Sequence, residues 1–223
     1  KYDDISNLIN TKKPKYIITD CFGSRFNASR GKSKAFKEIK HYLQLGYQPH
    51  EIFVLAPSVK NAKSPVRQLE NDIKSFLHDI PVYVPVSDEE KLDQQVLKNK
   101  LVFSTFHQAK GLERKVVIVF NFDASYFKYF NKNKNPYECP NELYVATTRA
   151  KDHLILLHHY QNDFLPFINH EQLERTTRLT YHYKLYIRDS KKEKNRETSV
   201  TDLVKHLTLD TIDNCLQFLS ILV

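Results

Sequence analysis

Hydrophobic positions along the chain form two alternating kinds of segment. Short apolar runs rich in β-branched and aromatic residues occur at KYIIT (15–19), EIFVLA (51–56), VYVPV (82–86), LVFSTF (101–106), KVVIVFNF (115–122) and HLILLHH (153–159). Segments with helical spacing lie between them, and NELYVATTRAKD (141–152) places a helix directly before the last run. Strands that alternate with helices predict an α/β domain over about residues 14–169, with a mainly parallel sheet covered by helices on both faces.

Helix boundaries carry their own signals. Gly46 is expected to end a helix over 33–46 with an apolar stripe on one face. Ser64 can cap a second helix, which Pro65 opens in its first turn.

The ends of the chain have a different character. Residues 1–13 are a polar lead-in, and 170–198 are strongly charged and end in a lysine-rich run, which is typical of a solvated connector. Residues 199–223 begin with a Ser199…Asp202 capping box and carry regularly spaced leucines, which predicts a helical tail.

Composition favours some partners over others. The chain has 34 Lys and Arg against 26 Asp and Glu, a formal net charge of +8, so nucleic acid is the first candidate partner. Many soluble proteins are equally basic, and charge alone does not decide. Three scattered cysteines without a C-x-x-C pair favour reduced thiols, and ten histidines lack the spacing of a zinc site, so no metal is expected on this chain.

No apolar run approaches the length of a membrane span, and the N-terminus does not resemble a signal peptide. We therefore expect a soluble intracellular protein without a membrane partner, in the cytoplasm or nucleus. The chain has no methionine, even at position 1, and is expected to be a piece of a longer sequence. Its many Lys, Asn, Ile and Tyr residues suggest an AT-rich genome, such as that of a large DNA virus, where a viral factory would be the location.

Gly31-Lys32-Ser33 looks like the end of a phosphate-binding loop. That loop needs a first glycine five positions earlier, where this chain has Phe26, and Gly23 would make the loop too long. A basic surface turn, solvated or facing nucleic acid, is the preferred interpretation.

Two other stretches are more specific. STFHQAKGLERKVVIVF (104–120) places a strand end, a Thr-x-His, a Lys-Gly-Leu-Glu turn and a buried strand in succession. NELYVATTRAKDHLIL (141–156) ends a helix in Thr-Arg-Ala-Lys before another strand. In this order they resemble motifs V and VI of UvrD/Rep-like superfamily 1 DNA helicases. The resemblance covers about 14–169 and implies the second RecA-like motor domain.

The motif V resemblance gives roles to five residues. It implies that Thr105, His107 and Lys110 contact single-stranded DNA, at a strand end where ligands bind in open α/β sheets. Gly111 would allow a tight turn, and Glu113 would accept a hydrogen bond from the ribose of a nucleotide. The alternatives are a core histidine at 107 and a plain surface carboxylate at 113.

The motif VI resemblance implies that Arg149 is an arginine finger, a guanidinium that neutralises the γ-phosphate from a neighbouring domain. The alternative is a helix-end arginine paired with Asp152 or with a carbonyl. Lys151 and Tyr144 are interpreted as structural, with Tyr144 in the core.

In such a motor, ATP lies between two RecA-like domains. The phosphate-binding loop and the Mg²⁺ ligands belong to the first domain, and their motifs are not found in this chain. The resemblance therefore implies ATP and Mg²⁺ as cofactors of the full-length protein, with Mg²⁺ bound through the first domain, and predicts that this fragment alone is inactive. The implied partners are that first domain and single-stranded DNA, with RNA left open.

The sequence departs from the family in two places. Where motif IV carries an aromatic and an arginine, this chain has Ala56 and Pro57, and Arg67 is the candidate to approach phosphate instead, against a plain surface role. About 30 residues replace the large accessory insertion between motifs IV and V. The rival to the motor is a degenerate, non-catalytic module that binds nucleic acid or a protein partner.

Between motifs V and VI, aromatic residues 120–130 could stack on bases or pack in the core, and 131–136 form a polar loop that could touch DNA.

Overall fold

The computed structural model divides the chain into two compact units, with the boundary after His182. Side chains and backbone are described for residues 13–21, 33–60, 64–87, 90, 92–93 and 95–182, and the backbone alone for 185–187 and 196–198. The lead-in at 1–12, Gly31 with Lys32, the lysine-rich run and the predicted tail at 199–223 lie outside the described residues.

The first unit is built on a seven-stranded parallel sheet. Its strands are β1 (Lys15–Thr19), β2 (Ile52–Ala56), β3 (Val82–Tyr83), β4 (Leu101–Thr105), β5 (Arg114–Val119), β6 (Ala150–His159) and β7 (Arg178–His182). They lie in the order β3-β4-β2-β5-β6-β1-β7, and each neighbouring pair runs parallel.

Five α-helices accompany the sheet in the described residues: α1 (Lys34–Gln44), α2 (Pro65–Phe76), α3 (Ser125–Tyr129), α4 (Asn141–Thr147) and α5 (His170–Thr176). The predicted boundary signals are confirmed. The Ser64 hydroxyl accepts a hydrogen bond from the Arg67 N–H at 3.3 Å, and Pro65 is the first residue of α2. Gly46 follows α1 with a φ of +95°, in the left-handed region that favours glycine.

The strands are buried on both sides because their apolar residues supply two cores. On one face, Val54, Phe103 and Ile118 pack with α1 and α2 in the largest apolar cluster. On the other face, alternate strand residues such as Phe53 and Val117 are equally buried, and α3 and α4 lie over them with Tyr126 and Leu143 inside. The predicted fold class, an α/β RecA-like parallel sheet with helices on both faces, is confirmed.

Three strand predictions differ in length by two residues or more. Strand β5 ends at Val119, before the expected residue 122. The third strand covers only Val82–Tyr83 of the predicted VYVPV, because Pro85 has no N–H to donate and the strand lies at the sheet edge. Strand β6 begins at Ala150, three residues before the expected start. Ala150 pairs there with Arg114, the first residue of β5.

The segment predicted as a charged connector contains regular structure. Helix α5 and strand β7 lie within it, and β7 pairs with β1 at the second edge of the sheet. Four of the five β7 residues are exposed, so this strand lacks the continuous apolar run that identifies most of the other strands. Polar side chains are usual on a sheet edge. In the second unit, β8 (Leu185–Ile187) and β9 (Arg196–Thr198) form an antiparallel pair.

In the part of the chain that the structure describes, no helix has the length and apolar character that crossing a membrane requires.

Candidate functional site

The predicted site residues occupy two opposite edges of the sheet. Thr105 ends β4 and so lies at the edge formed by the carboxyl ends of the strands. Glu113 and Arg149 immediately precede β5 and β6, which places them at the amino edge. Residues 106–113 join the two edges without a helix, and Phe106 and Ala109 anchor this segment by their burial.

At the amino edge, motifs V and VI are in direct contact. The Arg114 N–H donates to the Arg149 carbonyl at 3.0 Å, continuing the pairing of β5 with β6. The side chain of Glu113 lies 3.2 Å from the Lys151 ammonium, with both side chains at least half exposed. The fold therefore brings Glu113 and Arg149, 36 positions apart in sequence, onto neighbouring strand starts.

The Arg149 guanidinium is held by its own helix. Its Nε donates to the Val145 carbonyl at 3.0 Å, and Nη2 donates to the Thr148 hydroxyl at 3.0 Å. Within the described residues no carboxylate forms an ion pair with it. Of the two partners considered from sequence, the carbonyl is present, and the positive charge has no anionic partner there.

Arg114 is a neighbour that the sequence analysis passed over. Its Nε is buried and has no hydrogen-bond partner among the described residues, while Nη1 donates to the Glu113 carbonyl at 2.9 Å. The guanidinium lies 4.9 Å from the centre of the Phe53 ring, and burial lowers the pKa of Arg114 from its usual value. Arginine stays charged in proteins, so a partly buried cation lies next to Glu113 along the chain.

Gly111 has a φ of +82°, which confirms the expected tight turn. A Cβ atom built on Gly111 would meet nothing within 4 Å. The position therefore needs glycine for its backbone conformation and not for space.

At the carboxyl edge, Thr105 is buried, with 1% of its surface exposed. Its N–H and its hydroxyl both donate to Oε1 of Gln108 at 3.0 Å, and the Gln108 N–H returns to the hydroxyl at 3.3 Å. Thr105 therefore holds a turn together, and its side chain does not reach the rim where the sequence analysis expected it.

Gln108 is a second residue that the sequence analysis did not single out. Its Nε2 donates to the carbonyls of Ser87 and Glu90 at 2.8 and 2.9 Å, which ties the motif V turn to the segment after β3. All amide groups of this side chain are thus in use. The signal was a glutamine three positions after a strand-ending threonine, a spacing that suits a local side-chain turn.

His107 and Lys110 are exposed beside a cleft of about 270 Å³ between the motif V turn and α4. His107 has 74% of its side chain exposed, with Nε2 at 4.0 Å from a Glu142 carboxylate oxygen, so it is not a core histidine. The prediction of Tyr144 as a core residue is wrong. It is 62% exposed on the cleft, because α4 buries Leu143 and Ala146 instead.

Arg67 lies apart from this group. It stands in the first turn of α2, which follows the carboxyl end of β2, whereas Arg149 is at the amino edge. Its guanidinium pairs with Glu70 at 2.6 Å, and Glu70 also pairs with Lys74 at 2.6 Å. The fold thus does not bring Arg67 together with Glu113 and Arg149, and a carboxylate already balances its charge.

The described residues contain no group of three or more His, Cys, Asp or Glu side chains able to hold a metal ion.

The arrangement matches a known protein family. The model of the UvrD-like helicase C-terminal domain matches residues 21–162, more than half of the chain. The chain belongs to this family. As a UvrD-like C-terminal motor domain, it carries motifs V and VI where the neighbouring strands β5 and β6 begin.

Individual proteins are similar to parts of this chain. The chain is 34% identical over 90 residues to a Mycoplasma capricolum protein named "Probable DNA helicase II homolog", a match that covers 39% of this chain and 12% of the relative. It therefore spans about an eighth of that relative's length. A solved structure of the C-terminal domain of a possible DNA helicase from Lactobacillus plantarum WCFS1 overlaps 76% of this chain and 84% of its own, with 16% identity and a TM-score of 0.44.

Proposed function

We propose that this UvrD-like domain is the second motor domain of an ATP-dependent DNA helicase that translocates on single-stranded DNA. The observation that carries the proposal is the hydrogen bond from the Arg114 N–H to the Arg149 carbonyl, with the Glu113–Lys151 ion pair beside it. These contacts set Glu113 and Arg149 at the starts of the neighbouring strands β5 and β6. A carboxylate for a ribose hydroxyl and a guanidinium for a γ-phosphate then face the same side of the domain. The first motor domain would supply the phosphate-binding loop and hold Mg²⁺.

Arg149 has the properties that a finger needs. Phosphoryl transfer is catalysed largely by positioning and by neutralising charge, and a planar guanidinium can contact two phosphate oxygens at once. The guanidinium is held by a neutral carbonyl and a hydroxyl, not by a carboxylate, so turning it toward an anion breaks no ion pair within the described residues.

The nucleic-acid side would be formed by His107 and Lys110, which are exposed at the other end of the same segment. We propose that Thr105 acts indirectly here, because its hydroxyl is buried in the bonds to Gln108. A nucleic-acid contact at His107 and a nucleotide contact at Glu113 would then lie only six positions apart in the chain, which offers a short physical link between the two ligands.

A second candidate is a degenerate module that binds nucleic acid or a protein without hydrolysing ATP. The observations that favour it are Ala56 and Pro57 in place of the motif IV pair, and the engagement of Arg67 by Glu70. The two candidates differ in a measurable way, because only the motor hydrolyses ATP.

The test is single-strand-stimulated ATP hydrolysis by the full-length protein, with DNA affinity measured alongside. We expect Arg149→Ala to lower the stimulated turnover by about 10³-fold or more while DNA binding persists. Arg149→Lys should recover little, since lysine lacks the planar fork. Arg175→Ala, an exposed arginine on α5, is the matched control. A wild-type protein that binds DNA and never hydrolyses ATP would establish the second candidate.

A further inference from the structure

The last two residues of α3 and the segment that follows them expose an unusual set of side chains. Residues 128–137, KYFNKNKNPY, are here named the aromatic–lysine loop. Its three aromatic residues are largely solvent-exposed, at 60% for Tyr129, 47% for Phe130 and 75% for Tyr137. Single exposed aromatic residues are common, but three within nine positions form a surface of the kind that indicates an interaction site.

The charge of this loop is of one sign. Lys128, Lys132 and Lys134 are all exposed, and residues 128–137 contain no Asp or Glu; the exposed Glu138 follows and accepts a hydrogen bond from the Asn135 amide at 2.9 Å. The ammonium of Lys128 lies 5.3 Å from the centre of the Tyr129 ring, which places a cation beside an aromatic face. Protein-binding surfaces are depleted in lysine, whereas surfaces that bind single-stranded nucleic acid combine lysine with aromatic faces.

The loop is held in place by contacts within it and beneath it. Phe130 stacks on Tyr126 with ring centres 6.4 Å apart, and Tyr126 packs on Phe106 at 6.0 Å. The Asn131 amide donates to the Tyr126 hydroxyl at 3.4 Å, and Asn135 accepts from the Tyr137 N–H at 3.1 Å. The exposed rings are therefore attached to an ordered support.

That support is continuous with the cleft. Phe106 lines the cleft and immediately precedes His107, so the ring series Phe130, Tyr126 and Phe106 runs from the loop to the motif V turn. Helix α3 follows β5, which places the loop at the carboxyl edge, on the same side as His107.

We propose that the aromatic–lysine loop is a binding surface for single-stranded nucleic acid, in which bases stack on Tyr129 and Tyr137 and lysines contact phosphates. This proposal rests on the proposed function, because it extends the path of the bound nucleic acid beyond His107 and Lys110. A duplex would bind this surface less well, since its base faces are already stacked. Stacking also predicts little sequence preference, because every base offers an aromatic face.

The test measures the affinity of the full-length protein for oligothymidylate by fluorescence anisotropy at several salt concentrations. We expect Tyr129→Ala and Tyr137→Ala each to weaken binding by about fivefold or more, and the phenylalanine variants to bind like the wild type. Lys132→Ala and Lys134→Ala should each reduce the salt slope by about 0.7. Tyr181→Ala on β7 and Lys40→Ala on α1, both exposed and outside the loop, are the matched controls.

A direct readout accompanies the affinities. An oligonucleotide that carries 5-iododeoxyuridine should photocrosslink to a peptide containing Tyr129 or Tyr137, as mapped by mass spectrometry. If the tyrosine variants bind normally and no such crosslink forms while His107→Ala weakens binding, the loop proposal is wrong and the motor proposal stands. If His107→Ala also binds normally, the nucleic-acid part of the motor proposal fails separately. A change of oligomeric state in the tyrosine variants with unchanged DNA affinity would identify a protein interface and overturn the proposal.

Discussion

The motif V turn at the carboxyl edge and the strand starts at the amino edge hold their polar side chains differently. At the carboxyl edge, Thr105 is buried and Gln108 uses every amide group in hydrogen bonds. At the amino edge, Glu113 and Lys151 are at least half exposed, and Arg149 has only neutral partners among the described residues. In the proposed motor, a rigid turn would suit a surface along which single-stranded DNA moves. Exposed charges would suit groups that contact ATP held by another domain.

The largest expected difference between the two edges is the loss of ATP turnover in Arg149→Ala, a substitution at the amino edge. The same variant should change the free energy of unfolding by less than about 1 kcal/mol, because the guanidinium makes two neutral hydrogen bonds at a half-buried position. Thermal or denaturant unfolding of the variant checks this. A large loss of stability would assign Arg149 a structural role and weaken the contrast.

Gln108→Ala should have the opposite profile. It leaves the Thr105 N–H and two carbonyls without their partner, which is expected to lower the free energy of unfolding by about 1–3 kcal/mol. DNA affinity should fall with it, because His107 adjoins the loosened turn. Gln108→Glu separates the two halves of the bond network, since a carboxylate retains the acceptor for Thr105 and loses the donor to Ser87 and Glu90. Unchanged stability in both variants would contradict the structural role of the Gln108 hydrogen bonds.

Buried and exposed carboxylates should also differ. Burial raises the pKa of Glu38, but hydrogen bonds from Lys15 and Lys34 outweigh it, so the pKa lies below its usual value of 4.5. A lowered folded-state pKa stabilises the protein above the unfolded pKa, and this contribution is lost as the pH falls through the folded-state pKa. Stability should therefore decline below about pH 4.5, with a smaller decline in Glu38→Gln.

The comparison for this pH experiment is Glu113→Gln. Its carboxylate is 50% exposed and pairs with an exposed lysine, so its loss should change the free energy of unfolding by less than about 0.5 kcal/mol. Urea unfolding followed across the acid range measures both variants. Equal stability losses at neutral pH would show that the exposed pair is also structural.

A different effect is expected at the segment that joins the edges. Gly111→Ala places a side chain at φ +82°, which should lower the free energy of unfolding by about 1–2 kcal/mol without a steric clash. The informative readout is the stimulation of ATP hydrolysis by DNA. If residues 106–113 link the ligands, stimulation should fall more than either DNA affinity or basal hydrolysis.

The smallest expected effect lies in the cleft. The Glu142 carboxylate is 4.0 Å from His107 and repels phosphate, so Glu142→Gln should raise affinity for single-stranded DNA by about two- to threefold at low salt. The gain should shrink as salt increases, because exposed charges are screened. Weaker binding in this variant would mean that the Glu142 carboxylate orients His107 for its contact with single-stranded DNA.

Sequence patterns located much of this molecule in advance. Strand β1 has the predicted bounds, and Ser64, Pro65 and Gly46 mark helix ends as expected, because strand and cap signals are local. Tyr144 was misplaced since its helix buries only two positions, too few for the pattern to show which side faces inward. Strand β7 was missed because it lies at the edge of the sheet and has no continuous apolar run.

The sequence by itself determined the alternation of strands and helices, and with it the parallel sheet. Motifs V and VI were also readable from the sequence, because their residues lie close together along the chain. Only the tertiary structure decided that Glu113 and Arg149 are neighbours, that Arg67 lies at the opposite edge, and that Gln108 joins the motif V turn to residues 87–90. Those contacts connect positions 18 to more than 30 residues apart, and strand order, which no local pattern encodes, sets which of them meet.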